Sequence, residues 1–165
     1  MSAITTDSVA APWRSTAFPA LTAGAAALMI AAALGAAQEA LGWTVFGLPY
    51  LASAAVIAMA PTAPLARPGA IVRAYPAAAV AALLITAVAG PSQAAAAVSV
   101  VSAVVVMVLL RAPHVPAALC AGVIGLTDPG FGYLVGTLVP AVAIVIAVGS
   151  VAGRIVPGFE YPLRG

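Results

Sequence analysis

Polar and charged positions divide this chain into six apolar runs. They cover about Phe18–Ala37, Trp43–Ala60, Ala70–Ala89, Gln93–Leu110, Val115–Leu126 and Phe131–Gly153. No acidic or basic residue occurs in Ser15–Gln38, Ala40–Ala66, Ala74–Leu110 or Pro129–Gly153. A helix crosses a hydrocarbon core with about 20 apolar residues, so the pattern predicts six transmembrane helices. The first run is a plain Ala/Leu helix. The second is interrupted by Gly47 and Pro49, the fifth is short, and the sixth contains Gly136 and Pro140. The fourth is rich in valine, a strand former. A lipid-facing strand must belong to a closed barrel and alternate polar with apolar positions. Ser99–Leu110 does not alternate, so helix is expected there as well.

The runs repeat. Pro49–Ile57 reads Pro-Tyr-Leu-Ala-Ser-Ala-Ala-Val-Ile, and Pro116–Ile124 reads Pro-Ala-Ala-Leu-Cys-Ala-Gly-Val-Ile. The prolines, the small Ser53 and Cys120, and the Val-Ile pairs coincide. Pro76 opens a run closing on Val88-Ala89-Gly90, and Pro140 opens one closing on Val151-Ala152-Gly153. Short or broken apolar segments at corresponding positions of two halves point to a transporter's central site. The expected architecture is an all-α membrane protein of six helices in two inverted three-helix repeats, about 17–90 and 91–156. Its second and fifth helices are short or broken. Residues 1–16 form a cytoplasmic N-terminal segment, and 17–165 a single transmembrane domain with a short tail.

Arginine orients the bundle. Arg14 precedes the first run, Arg67 and Arg73 lie between the second and third, Arg111 between the fourth and fifth, and Arg154 and Arg164 after the sixth. Six crossings put every arginine on one face. The opposite loops carry Glu39, Gln93 and Asp128. This is the positive-inside pattern, and it predicts both termini in the cytoplasm of a cell's inner (plasma) membrane.

Composition narrows the function. The 165 residues are 64% hydrophobic and 6% charged, with a mean hydropathy of +1.18. A soluble domain carries about a quarter charged residues, so this chain is expected to live in the bilayer. No nucleotide-binding domain is expected, and a net charge of +2 is too small to suggest nucleic acid. The polar start with Asp7 and the long run after it favour a retained first helix over a cleaved signal. Cys120 has no partner for a disulfide and reads as a small packing residue. One His, one Cys and four scattered acids assemble neither a nucleophile with its base nor a metal site. No enzyme activity, metal or cofactor is expected.

The chemistry that remains centres on helix starts. Proline suits a helix's first turn, so helices are expected to begin near Pro49 and Pro116. Helix starts expose N–H groups and partial positive charge, which favour anions. The expected binding residues are Pro49, Tyr50, Ser53, His114, Pro116, Ala117 and Ala118. Arg67, Arg73, Tyr75 and Arg111 are expected at the pore mouth. His114, the one side chain of a type that when unperturbed titrates near neutral pH, is expected either to line that site or to anchor at the interface beside Arg111. In both cases its ring is expected to contribute modest packing.

Pro64-Leu65-Ala66-Arg67-Pro68 resembles the Pro-Leu-Ala-Gln-Pro loop of the HPP family of integral membrane proteins. Pro49–Ala60 is similar to that family's small-residue helix. His114-Val115-Pro116-Ala117-Ala118 stands where the family's His-Pro-Pro is followed by small residues, and Gly153-Arg154 through Glu160-Tyr161-Pro162 resembles its polar ending. The resemblance spans Gly47–Pro162. Val115 replaces the middle proline, Arg67 replaces the loop glutamine, and the polar residue that usually follows the loop falls near Tyr75. The resemblance implies transport, with nitrite as a candidate substrate. The expected function is therefore a channel or secondary transporter for a small monovalent anion. The alternatives are an accessory membrane subunit and a channel for a neutral solute such as urea or ammonia. The expected partners are the lipid bilayer, a small inorganic anion and further copies of the chain.

Overall fold

Among the described residues, six α-helices form where the apolar runs lie, and prolines and glycines set their limits. The computed structural model describes residues 13–162. The helices are α1 Trp13–Leu41, α2 Leu48–Met59, α3 Pro68–Ala89, α4 Gln93–Leu109, α5 Val115–Thr127 and α6 Val139–Ile155. No strand occurs among the described residues. Most of the expected N-terminal segment, with Asp7, and also Arg164 lie outside them.

Three helical spans are long and apolar enough to cross a membrane: Ala17–Leu41, Pro68–Ala89 and Leu134–Ile155. The second and fifth helices are short, at 12 and 13 residues. At about 1.5 Å per residue each is roughly 18–20 Å long, against a hydrocarbon core of about 30 Å. The second apolar run is helical only from Leu48 on. Its first part, Gly42–Gly47, is non-helical, and Phe46 N–H is held by Gln38 Oε1 at 3.0 Å.

Residues 134–138 form a π-helical turn that runs directly into α6. Proline has no N–H and its ring collides with the carbonyl four residues back. Pro140 would therefore collide with Gly136. The wider turn, in which Val139 N–H reaches Leu134 O, takes up that conflict, as π-bulges do inside helices. Between α2 and α3 a 3₁₀ turn covers Pro64–Ala66.

Serine and left-handed residues shape the other ends. Ser92 caps α4 by accepting from Ala95 N–H at 3.0 Å. α4 closes in a Schellman turn: Arg111 sits at φ 49°, Arg111 N–H reaches Val108 O, and Ala112 N–H reaches Met107 O. The motif satisfies the last carbonyls and reverses the chain, which sends Pro113 and His114 back into the bundle.

The core is small-residue packing around α3. Ala74, Ala78, Ala79 and Ala82 are fully buried, as are Ile30, Leu34, Ile57, Ile71 and Ile124. In lipid, van der Waals contact between closely approaching backbones holds helices together. The helix pairs in substantial contact are α1 with α2 and α6, α3 with α4, α5 and α6, α4 with α5, and α2 with α5 and α6. Exchanging the first three helices for the last three leaves that set of pairs unchanged. After α6 the tail folds back. Phe159 and Tyr161 are buried, and Tyr161 lies on Gly149 and against the backbone at Gly153.

Candidate functional site

The two short helices meet at their starts. Gly47 caps α2 in extended conformation (φ −133°, ψ 154°), with Pro49 in the first turn. His114 caps α5 likewise (φ −152°, ψ 94°), with Pro116 in the first turn. One turn into α2, Ser53 faces the α5 start, and its Oγ lies 2.9 Å from His114 Nε2. The other ring nitrogen, Nδ1, lies 2.8 Å from Leu65 O in the 3₁₀ turn. A carbonyl can only accept, so Nδ1 carries a proton. Tyr75 on α3 completes the group. Its Oη is 2.7 Å from Ser53 Oγ and 2.7 Å from Pro49 O. The Tyr75 ring is tilted against His114, with centroids 5.3 Å apart. Ser53, Tyr75 and His114 are all essentially inaccessible to solvent.

A second polar group adjoins the first through a ring stack. Tyr50 and Tyr75 are stacked with centroids 5.6 Å apart. Tyr50 Oη is 2.8 Å from Tyr133 Oη, and Cys120 Sγ is 3.4 Å from the same hydroxyl. Beyond it, Thr44 and Thr137 are paired at 2.7 Å, tying the non-helical stretch after α1 to the π turn. A line of polar side chains and aromatic rings thus runs from Leu65 to Tyr133 through otherwise apolar packing. Two surface cavities, one of about 500 Å³ beside Gly35, Glu39 and Phe46 and an apolar one of about 350 Å³ between α3 and α6, do not include the Ser53 group.

The residues singled out in the sequence divide into two sets. Pro49, Tyr50, Ser53, His114, Pro116, Ala117 and Ala118 are all buried around the meeting of α2 and α5. Arg67, Arg73 and Arg111 are exposed. Arg73 spans from α3 to the end of α4, donating through Nε to Gly69 O at 2.9 Å and through Nη1 to Leu110 O at 3.1 Å. Three expectations need correction. Tyr75, expected at the mouth, is at the centre, because it follows Arg73 by two positions and so lies on the buried side of α3. His114 is not a lightly packed interfacial ring. It is buried and joins α2, α5 and the 3₁₀ turn.

The third correction concerns the amides. Proline removes one donor at each helix start. Tight first turns use others, since Tyr50 and Leu51 N–H both reach Gly47 O and Ala117 N–H reaches His114 O. The polar character of the site therefore comes from side chains more than from amides. Sequence reasoning also missed Tyr133 and the Leu65 carbonyl. Tyr133 had a usable signal: an isolated tyrosine in an apolar run needs a partner for its hydroxyl. The Leu65 carbonyl had none. Among the described residues no three His, Cys, Asp or Glu side chains gather as a metal site.

No curated protein and no solved structure matches this chain. One family model does match, that of the HPP transmembrane region, over residues 10–162. That match covers this apolar helical bundle almost from end to end, and the chain belongs to the HPP family of transmembrane proteins.

Proposed function

We propose that the chain carries a small monovalent anion across the inner (plasma) membrane, as a channel or secondary transporter, and does no enzymatic chemistry. The observation that supports this reading is the Ser53–Tyr75–His114 group at the crossing of α2 and α5. Polar and ionisable side chains at membrane depth are expensive and are characteristically functional. Short helices starting inside the bundle are where transporters build their sites. Hydroxyl and imidazole groups with no carboxylate among the described residues beside them suit an anion. The exchange symmetry of the helix pairs supports two inverted three-helix repeats, with α2 and α5 crossing at the pseudo-twofold axis. The exposed valines of α4, Val101, Val104, Val105 and Val108, offer a face for lipid or for a further copy of the chain.

The test is uptake into liposomes by the purified protein, comparing nitrite, nitrate, formate, chloride and urea. Saturable uptake of at least one anion is expected, and nitrite is the first candidate through the family. Uptake of urea alone would replace the anion by a neutral solute. No uptake of any solute would leave an accessory subunit. Orientation follows from the arginines, with both termini cytoplasmic. A reporter fused after Gly165 should be active only if it matures in the cytoplasm, and a periplasmic signal would contradict the six-crossing arrangement.

A further inference from the structure

Ser53, Tyr75 and His114 are buried, so part of the protein must move before a solute reaches the crossing of α2 and α5. The tail after α6 covers one approach to it. Val156 ends α6 in extended conformation, and Gly158, at φ 78°, turns the chain back. Burial then alternates: Phe159 and Tyr161 are buried, while Glu160 and Pro162 are exposed. The tail lies on glycine. A Cβ at Gly153 would run into the Tyr161 backbone, with its carbonyl C at 2.7 Å and its N at 2.9 Å. A Cβ at Gly149, one turn deeper, would lie 3.1 Å from Tyr161 Cε1 and 3.5 Å from Ile57 Cγ2. The Tyr161 ring therefore runs inward along α6, to the point where α6 meets α2 one turn after Ser53. Phe159 and Tyr161 are stacked with centroids 6.5 Å apart. On the α1 side, a Cβ at Gly158 would meet Phe18 Cε1 at 2.9 Å.

Opposing forces act on the docked tail. Burying two aromatic rings holds it down. The Tyr161 hydroxyl acts against this. Of the chain's four tyrosines, Tyr50 and Tyr133 share a hydrogen bond, and Tyr75 bonds Ser53 and Pro49 O. Tyr161 Oη is buried and has no partner among the described residues. A buried hydroxyl without a partner carries a desolvation cost that water returns once the ring is exposed. The bed beneath it is Gly149 and Gly153, which offer no side chain to interlock with. Beyond the end of α6, one backbone bond among the described residues ties the tail down, Phe159 N–H to Val156 O at 3.1 Å. The docked form is thus bound by two rings and weakened by the hydroxyl on one of them.

We infer that residues 157–162 form a strap over the α2–α6 seam, at the end of α6 that carries Arg154. The strap is docked in this structure and swings off to open the route to the α2–α5 crossing. The unpaired Tyr161 hydroxyl sets how often it lets go. The inference rests on the transport reading above.

The test uses two substitutions of opposite sign in the full chain. Tyr161→Phe keeps the ring and removes the unpaired group, so the docked form should gain about tenfold over the released one. Gly153→Ala places a methyl where the Tyr161 backbone lies, so the released form should dominate. Hydrogen exchange of residues 157–162 in detergent reads the released population. It should be about tenfold slower in Tyr161→Phe than in the parent, and faster in Gly153→Ala. Uptake of sodium nitrite, nitrate, formate and chloride into liposomes should move the same way, about tenfold down in Tyr161→Phe and up in Gly153→Ala. If Gly153→Ala fails to fold, Tyr161→Phe decides alone. Exchange unmoved by Tyr161→Phe would overturn the strap. Exchange that slows while uptake stays level would make the tail mere packing and leave the anion reading intact. No uptake of any of the four anions by the parent would overturn both.

Discussion

Gly125→Ala is expected to lower the stability of the bundle by about 2–3 kcal/mol, the upper range for overpacking a well-filled interior. A Cβ at Gly125 would run into the backbone of α4: Ala96 Cα, Ala96 N at 2.7 Å and Ala95 C at 3.0 Å. Backbone cannot rotate aside, so α4 and α5 would have to separate. Separation would also strain the Ser92 N–H bond to Gly125 O, now 3.0 Å, next to the Ser92 cap. Alanine's better helix propensity returns only about 1 kcal/mol. Gly122→Ala is the matched comparison. Its Cβ would meet only Val100 Cγ2, at 3.0 Å, a side-chain methyl that can give way, and a loss of about 1 kcal/mol or less is expected. Denaturant titration of both variants in detergent measures the difference. Equal stability of Gly125→Ala and the parent would mean that the two helices do not approach as closely as the structure has them.

The second large effect is expected from His114→Ala, about 2–4 kcal/mol. Two sources add. Truncating a fully buried side chain leaves a cavity, which in cores costs a few kcal/mol depending on how far the site collapses. The hydrogen bonds to Leu65 O and Ser53 are also lost, and within membranes such bonds average about 0.6 kcal/mol each. A double-mutant cycle with Ser53→Ala separates the two. The pair should lose about 0.5–1 kcal/mol less than the sum of the single variants, because both break the same bond. Strict additivity would show that Ser53 and His114 do not interact in solution. A His114→Ala protein as stable as the parent would return the ring to the interfacial role first considered for it.

The helices were legible because apolar length and proline placement act locally. Pro49 and Pro116 could be read as helix starts since a residue without an N–H fits only where none is needed. The ends of α3 and α4 fell within two residues of expectation because Gly90, Ser92 and Pro113 punctuate them. The π turn at Leu134–Leu138 was not foreseen. Proline inside an apolar run can be met by a kink, a break or a widened turn, and the choice depends on what packs around it. Tyr75 was misplaced for a related reason. Arg73 and Tyr75 are neighbours in sequence, but two positions on a helix differ by about 200°, so one faces water while the other faces the core. The partnership of His114 with Ser53 was half-visible, since both had been assigned to one site. Its third member depended on the rotation of α3, and the Leu65 carbonyl on a turn conformation that no residue type announces.

The shortness of α2 has a consequence for how the protein is made. Twelve residues cannot cross the hydrocarbon core unaided, and six residues of non-helical backbone lead into them. In lipid, unpaired peptide groups of that stretch are tolerated only where protein surrounds them. When α2 leaves the ribosome, α1 is the only one of its helix partners yet synthesised; α5 and α6 come later. The Thr137 hydroxyl that holds Thr44 also comes later. The nascent chain must therefore be sheltered by the insertion machinery, or lie shallowly at the interface, until its last third arrives. Membrane integration of this protein is therefore expected to finish only after translation of the sixth helix, and chains truncated before Thr137 are expected to be substrates for membrane proteases rather than stable fragments.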